Sequence, residues 1–286
     1  MIDELRKTNK NLILVDSGDM FFKTKSLPQL RARLVLDGMN RMKYDAVTFG
    51  EGDLNMDFEF FLKEIAKTSM TYVSSNIQIL DEKNKKLLLP YVIKEIDGLK
   101  IAVTAITPEV MMDSQVLENK QIKIDDPILA LKETIAELKE KSDFIILLSH
   151  FGMAGTKNLL TYNDLSDVSL AIAGHGRLMT DTVKKIGDTC IVQNSLGGEY
   201  LSMLKFNLDD TGKIIDSNLE NIALTKDVPE DLYLMEQMGK FSAKKLKQES
   251  TRDEQEVQEA SEKESLKILQ LSPEAFIKKM KLKNTD

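Results

Sequence analysis

Short hydrophobic runs alternate with segments of helical periodicity along most of the chain, from about Leu12 to Asp209. Runs rich in branched apolar residues and bounded by glycine or polar residues predict strands, whereas apolar residues three and four positions apart predict helices. The predicted strands are Leu12–Asp16, Ala46–Phe49, Tyr72–Ser74, Tyr91–Ile96, Lys100–Ile106, Phe144–Ser149, Leu170–Ala173, Thr189–Asn194 and Tyr200–Leu208. The predicted helices are Ile2–Asn9, Pro28–Met42, Met56–Lys67, Ile128–Lys141 and Asn158–Leu165.

Two tight reversals interrupt this alternation. Ile96–Lys100 contains an Asp-Gly pair and is typical of a β-hairpin, and Leu208–Lys213 predicts a second reversal. Strands interleaved with helices, together with two hairpins, predict a layered α/β sandwich with mixed sheets and argue against a purely parallel sheet.

The character of the chain changes near its C-terminal end. We predict a domain over residues 1–226 and a charged helical tail over residues 227–286. Lys244–Lys267 is mostly charged and amide residues, which fits a solvated helix or disorder, and Ser272 followed by Pro273 is a good helix start. The tail is interpreted as a surface helix with a short docking segment, and a partner-binding helix remains the alternative.

Composition narrows the class of protein. The 286 residues carry a formal net charge of −7, which argues against electrostatic binding of nucleic acid. Cys190 is the only cysteine, so an intramolecular disulfide and a thiolate metal cluster are excluded, and its apolar neighbours predict a buried thiol. No apolar run is long enough to predict a transmembrane span.

Acidic residues and histidines follow four of the predicted strands. The chain has two histidines, and each follows a hydrophobic strand: His150 follows Phe144–Ser149, and His175 follows Leu170–Gly174. Two earlier strands end in the acid-containing segments 16–19 and 50–53. Because ligands in α/β proteins gather at the carboxyl ends of strands, two carboxylates and two imidazoles there predict a metal site.

Four segments carry a resemblance to a known family. Leu14–Asp19 looks like the Gly-Asp motif of calcineurin-like metallophosphoesterases of the 5′-nucleotidase type. Ala46–Leu54 falls where that family carries Gly-Asn-His-Glu, Leu148–Gly152 resembles Ser-His-x-Gly, and Ala173–Arg177 falls at Gly-His-x-His. The resemblance covers roughly residues 12–208 and implies a four-layer α/β/β/α sandwich, phosphoester hydrolysis and nucleotide catabolism.

The resemblance implies one divalent ion, Zn²⁺, Mn²⁺ or Fe²⁺. Its ligands would be Asp19, Glu51, His150 and His175. The family's other metal position is not matched, because Arg177 replaces the last histidine of Gly-His-x-His and no Asp-x-His strand precedes the Gly-Asp strand. An arginine stays protonated and cannot ligate a metal, so Arg177 is a candidate contact for phosphate oxygens instead.

Other positions depart from the family or have ordinary structural explanations. Gly52 stands where the family has its catalytic histidine, and Asp16 and Asp53 are interpreted as supporting or turn residues. Taken singly, Asp19 could cap a turn, Glu51 could be solvated, and either histidine could bond to the backbone. Their joint placement favours the metal site.

Two functions follow from these matches and departures. The first is a divergent metal-dependent phosphoester hydrolase acting on a small phosphorylated ligand. The second is a catalytically degenerate metal- or ligand-binding protein on the same scaffold. Nucleotide specificity lacks support, since the tail is too short and too charged to be a base-stacking domain.

The N-terminal end bears on both the completeness of the fold and the location of the protein in the cell. The resemblance implies that a strand is missing there, and an N-terminally incomplete chain is one of the possibilities that follow. A lost signal or lipoprotein segment would place the protein outside the cytoplasm. If Met1 is the true start, the charged residues that follow it predict a cytoplasmic protein.

Overall fold

The computed structural model describes residues 1–21, 28–195, 197–209 and 212–243. The chain divides into two compact units, Met1–Asp231 and Leu232–Asp286. In the second unit residues 232–243 are helical, whereas the charged run and the predicted helix start at Ser272 lie outside the described residues. The domain boundary between residues 226 and 227 stays a prediction. None of the described helices combines the length and apolar character that a membrane span requires.

The first unit alternates strands and helices. Its helices are α1 (Ile2–Thr8), α2 (Pro28–Met42), α3 (Glu51–Leu54), α4 (Phe58–Ile65), α5 (Ser114–Leu117), α6 (Pro127–Leu138) and α7 (Gly152–Tyr162). Its strands are β1 (Val15–Asp16), β2 (Ala46–Val47), β3 (Tyr72–Val73), β4 (Ile77–Ile79), β5 (Leu88–Leu89), β6 (Tyr91–Ile96), β7 (Leu99–Ile106), β8 (Ile122–Ile124), β9 (Phe144–Ser149), β10 (Leu170–Ala173), β11 (Lys184–Ile186), β12 (Thr189–Gln193), β13 (Tyr200–Leu208) and β14 (Ile214–Ala223).

The strands form two principal sheets. The first sheet has the order β1-β2-β3-β5 and is parallel throughout. The second has the order β11-β12-β10-β9-β7-β6, with a parallel centre and an antiparallel strand at each edge. Two antiparallel pairs, β13 with β14 and β4 with β8, complete the unit. The predicted mixed-sheet architecture is therefore confirmed.

Three apolar clusters show how the layers stack. In the first sheet Phe49 and Tyr72 pack with α2 and α4, whereas Ala46 and Val73 point into the space between the sheets. A third cluster joins the other face of the second sheet to α6 and α7. The order of layers is thus helix, sheet, sheet, helix, as the family resemblance implies. Cys190 lies fully buried in the cluster between the sheets, as predicted.

Strand β9 is the centre of the second sheet and is buried along its whole length. Ile145 and Leu147 face the outer helices, while Phe144, Ile146 and Leu148 face the first sheet. This alternation is what a strand covered on both sides requires. It brings the residue after the strand, His150, to the carboxyl edge of the sheet.

Strand β1 lies at an edge of the first sheet. It is shorter than predicted, pairs with β2 on one side, and has no strand partner on the other side among the described residues. Strand β13 is likewise paired with β14 alone in that part of the chain. A cleft of about 2160 Å³ opens here, and its lining includes Val15, Leu204, Phe144 and Ile172.

Two local predictions are corrected by the structure. The helix predicted over Asn158–Leu165 is α7, which runs from Gly152 to Tyr162 and therefore begins directly after the β9 loop. No helix is predicted for the segment after β2, where Asp53 is interpreted as a supporting or turn residue, but Glu51–Leu54 forms the short helix α3. Both helices begin at a glycine-containing strand end, and α3 has only four residues, too few to show a helical period in the sequence.

A buried carboxylate links α2 to α4. The Glu64 side chain is 6% exposed and accepts ion pairs from Arg33 (3.1 Å) and Lys67 (2.7 Å). Burial acts to raise the pKa of Glu64, but the hydrogen bonds from Lys67 and Arg33 outweigh it and lower the pKa below the usual 4.5. The ionised carboxylate is therefore more stable in the folded chain than in the unfolded one.

Replacing Glu64 by glutamine should destabilise the fold in a pH-dependent way. We expect the free energy of unfolding near neutral pH to fall by about 1–3 kcal/mol, the usual worth of hydrogen bonds to a charged group. Because folding lowers the pKa of Glu64, the full loss of stability should be present above the pKa of the unfolded chain. It should disappear as pH falls through the lower pKa of the folded chain. Urea unfolding at a series of acidic pH values measures this difference in unfolding free energy. The exposed Glu59→Gln variant on the same helix is the control, and a loss that does not change with pH would contradict the assignment.

Candidate metal centre

Four strand ends deliver the side chains of the candidate site. Asp19 follows β1 and Glu51 opens α3 directly after β2, so the first sheet supplies both carboxylates. His150 follows β9 and His175 follows β10, so the second sheet supplies both imidazoles. The carboxyl ends of adjacent parallel strands lie side by side, which is why residues far apart in the sequence meet here.

The four side chains converge on one point. One ligand atom from each residue lies within 4.8 Å of the other three. His150 Nε2 lies 3.0 Å from Glu51 Oε2 and 3.5 Å from Asp19 Oδ2. His175 Nδ1 lies 3.0 Å from Glu51 Oε1 and 4.0 Å from Asp19 Oδ2. The structure thus brings together all four residues that the sequence predicts as ligands.

A main-chain carbonyl group fixes the orientation of the His150 ring. The His150 side chain is fully buried, and its Nδ1 lies 2.6 Å from the carbonyl oxygen of Ser17. A carbonyl oxygen can only accept, so Nδ1–H donates, and Nε2 is turned toward Asp19 and Glu51. This arrangement, with one ring nitrogen held by a carbonyl and the other directed at carboxylates, is typical of metal-binding histidines.

The electrostatics of the cluster favour a cation. Burial acts to lower the pKa of His150, yet hydrogen bonds with Asp19, Glu51 and Ser17 outweigh it and raise the pKa to about 10. Burial raises the pKa of Asp19 and Glu51, but the facing His150 outweighs this and lowers both. Two ionised carboxylates therefore surround the imidazole nitrogen, and a proton or a metal ion must lie between them. The donor set of two carboxylates and two imidazoles fits a divalent metal.

Two of the four candidate ligands have a left-handed backbone. Asp19 has φ +63° and His175 has φ +52°, and only four non-glycine residues in the described chain have positive φ. This conformation costs about 1 kcal/mol or more for a residue with a side chain. Strain of this kind is retained where the surrounding contacts hold it, and the sequence gives no sign of it at either position.

A layer of supporting groups lies behind the cluster. Asp53 is fully buried and accepts hydrogen bonds from three main-chain N–H groups, and burial raises its pKa to about 7. Asp16 accepts one from Gly18 at 2.9 Å. These hydrogen bonds are the contacts through which both acids would support the site.

The contact between His150 and the Ser17 carbonyl was not predicted. Every residue has a carbonyl group, so the sequence does not show which one accepts a hydrogen bond from a side chain.

One predicted site residue lies outside the four-residue cluster. Arg177 is exposed, comes two residues after His175, and lines the same cleft. Its contact with phosphate stays a prediction. Gly52 donates its N–H to Asp19 Oδ1 at 2.8 Å. As a glycine it has no side chain that could act as a general acid.

Comparison with known proteins gives relatives of one kind. No family model matches the chain. The chain is 24% identical to human 5′-nucleotidase over 271 residues, covering 85% of this chain and 46% of the human protein. It is 23% identical to the trifunctional nucleotide phosphoesterase protein YfkN of Bacillus subtilis, covering 84% of this chain and 19% of that protein. The chain therefore spans about half or less of these relatives.

Solved structures agree on the fold. The 5′-nucleotidase precursor from Thermus thermophilus superimposes with a TM-score of 0.72 at 21% identity, covering 85% of this chain and 51% of that one. The calcineurin-like phosphoesterase YfkN from Bacillus subtilis gives 0.67 at 22% identity, covering 86% and 87%. The fold is that of calcineurin-like phosphoesterases. The chain is a divergent relative of 5′-nucleotidases, as its four motifs predict.

Replacing Gly50 by alanine should weaken metal binding. A Cβ at this position would overlap Asp19 Oδ1 and lie 2.6 Å from the ring atoms Cε1 and Nε2 of His150, so two candidate ligands would have to move. Displaced ligands typically cost tenfold or more in metal affinity, and we expect a loss of about that size for Mn²⁺ by isothermal titration calorimetry. Gly239→Ala is the control, since its added Cβ would have no neighbour within 4 Å. Unchanged affinity in Gly50→Ala would show that the cluster does not hold the ion.

Proposed function

We propose that the chain is a metal-dependent phosphoester hydrolase. The observation that carries this proposal is the convergence of Asp19, Glu51, His150 and His175 to within 4.8 Å at the carboxyl ends of both sheets. The relatedness to 5′-nucleotidases and the shared fold support the same reaction class. The chain spans 46% of human 5′-nucleotidase and 51% of the Thermus thermophilus structure, so activity, substrate and partners are proposed for this chain rather than transferred to it.

The four residues would hold one divalent ion. Carboxylate oxygens with imidazole nitrogens suit Zn²⁺, Mn²⁺ or Fe²⁺. When bound, such an ion polarises a phosphoryl oxygen and lowers the pKa of water. The chain's own contribution is to hold the imidazoles in one orientation, His150 through the Ser17 carbonyl, and to keep the carboxylates ionised beside them.

A small phosphorylated ligand is the proposed substrate class. Arg177 lines the same cleft as Asp19, Glu51 and His175 and comes two residues after His175, which favours it as a partner for an anionic group. Guanidinium groups bind phosphate oxygens in bidentate fashion. Relatives named 5′-nucleotidases suggest a nucleotide monophosphate as the first compound to assay.

A second candidate function is a binding protein that holds the ion without turnover. The favouring observation is that both histidines of the chain lie in the cluster and Gly52 beside it has no side chain. No imidazole is left to protonate a leaving group, so chemistry that needs such an acid would be slow.

Hydrolysis of p-nitrophenyl phosphate with added Mn²⁺ tests the enzyme. Replacing His150 or His175 by alanine removes a candidate ligand, and we expect kcat/KM to fall by roughly 100-fold or more, since even residues that only support metal ligands are worth 10–100-fold. Lys184→Ala, an exposed change on β11, should leave activity at the level of the unchanged protein. Metal binding without turnover of p-nitrophenyl or nucleotide phosphates would favour the binding protein.

The dependence on leaving group tests the missing acid. A positioned general acid is worth about 10²–10⁴ in rate for leaving groups that depart poorly. We therefore expect p-nitrophenyl phosphate to be hydrolysed at least about 100-fold faster than phenyl phosphate, as the phenol without the nitro group needs a proton to leave. The ratio of kcat values is the measurement. Similar rates for both esters would show that another group of the protein supplies the proton.

A further inference from the structure

The side chain of Asp53 is bonded to main-chain groups of the loops that carry the metal site. Asp53 Oδ2 accepts hydrogen bonds from the N–H of Asp19 at 2.8 Å and of Gly50 at 2.9 Å. Asp53 Oδ1 accepts one from the N–H of Phe21 at 3.0 Å. The side chain has no exposed surface, so these three bonds are made away from competing water.

The three N–H groups belong to two separate loops. Asp19 and Phe21 lie in the loop after β1, whereas Gly50 lies in the turn that precedes Glu51. Asp53 itself is two residues beyond Glu51 in α3, so its carboxylate ties the loop of one candidate ligand to the helix of the other. A further hydrogen bond joins the same two segments: the N–H of Gly52 in α3 donates to Asp19 Oδ1 in the loop after β1, at 2.8 Å.

Asp19 needs such a connection more than the other ligands do. Its backbone is left-handed at φ +63°, and it follows strand β1, which pairs with β2 alone among the described strands. The two N–H groups at and beyond the strained position, those of Asp19 and Phe21, are both bonded to Asp53. Asp19 and Glu51 also carry like charges close together, and their repulsion acts to push the two loops apart.

We propose that Asp53 is a positioning residue that holds the left-handed Asp19 and the adjoining Glu51 at the separation one ion requires, and thereby sets the affinity of the cluster for divalent metal. This inference rests on the metal site of the proposed function. A purely structural role for Asp53 predicts something different. It would lower the melting temperature while leaving the affinity of the folded protein unchanged.

The first experiment compares metal affinity in two variants of the full chain. Asp53→Asn keeps the shape but replaces one acceptor oxygen by an NH₂ group that cannot accept. We expect Co²⁺, titrated by its visible absorption, to bind 10–100-fold more weakly and with a changed spectrum, as is usual when a residue supporting a ligand is altered. The control is Asp126→Asn, because Asp126 also accepts two main-chain N–H groups, at 2.9 Å each, but at the start of α6. That control should lower the melting temperature without changing Co²⁺ affinity.

The second experiment asks whether Asp53 acts through Asp19. In an Asp19→Asn background the ligand that Asp53 positions is already impaired. The additional loss from Asp53→Asn should then shrink to less than about threefold, whereas independent effects would multiply. Should Asp53→Asn fail to fold at the assay temperature, Asp53→Glu is the second variant, because it keeps both acceptor oxygens on a longer side chain. It should also weaken Co²⁺ binding, but by a smaller factor.

The outcomes separate this inference from the proposed function. If the unchanged protein binds Co²⁺ and Asp53→Asn binds it equally well, the positioning role is wrong and the metal site stands. If the two losses multiply fully in the double variant, Asp53 does not act through Asp19. If the unchanged protein binds no Co²⁺, Mn²⁺ or Zn²⁺, both the metal site and the positioning role are wrong.

Discussion

The placement of two ionised carboxylates around one buried imidazole nitrogen is the interaction on which the site depends. His150 Nε2 lies 3.0 Å from Glu51 and 3.5 Å from Asp19, and its other nitrogen is bonded to the Ser17 carbonyl. Without a cation the carboxylates would repel each other in a poorly solvated space. A cation between them attracts both carboxylates and offsets that repulsion. The fold therefore holds the two carboxylates in positions that are favourable only when a proton or a metal ion lies between them.

Close approach of three loops makes this arrangement geometrically possible. A Cβ on Gly18 would lie 2.8 Å from the Phe49 carbonyl carbon, and one on Gly174 would lie 2.6 Å from the Ser17 carbonyl oxygen. Glycine at these positions lets the β1, β2 and β10 loops approach to main-chain contact distance. The left-handed residues Asp19 and His175 directly follow Gly18 and Gly174, so they lie at the points of closest approach.

The sequence predicted the centre of the second sheet and the candidate ligands better than it predicted the first sheet. Strands β9 and β10 and helix α2 have the predicted bounds, because long apolar runs and clear helical periodicity dominate there. The run Leu12–Asp16 yields only the two-residue β1, since its apolar residues line an open cleft and β1 has no described strand partner on one side. Strands β4, β5, β8, β11 and β14 were not predicted, because short or polar strands depend on their partners and carry little signal of their own. The contacts of Ser17 and Asp53 depend on main-chain atoms, which no residue type reveals.

The cluster is asymmetric in a way that indicates where a substrate would approach. The exposed fractions of the side chains rise from 0% for His150 and 16% for Glu51 to 33% for Asp19 and 37% for His175. The buried pair is held by the core and the carbonyl of Ser17, whereas the exposed pair has the left-handed backbone. Asp19 and His175, the more exposed side chains, both line the cleft, so the proposed phosphate would approach an ion from there. The more exposed candidate ligands, Asp19 and His175, are thus the ones least enclosed by packing, and the backbone of Asp19 is held by the hydrogen bond from its N–H to the buried Asp53.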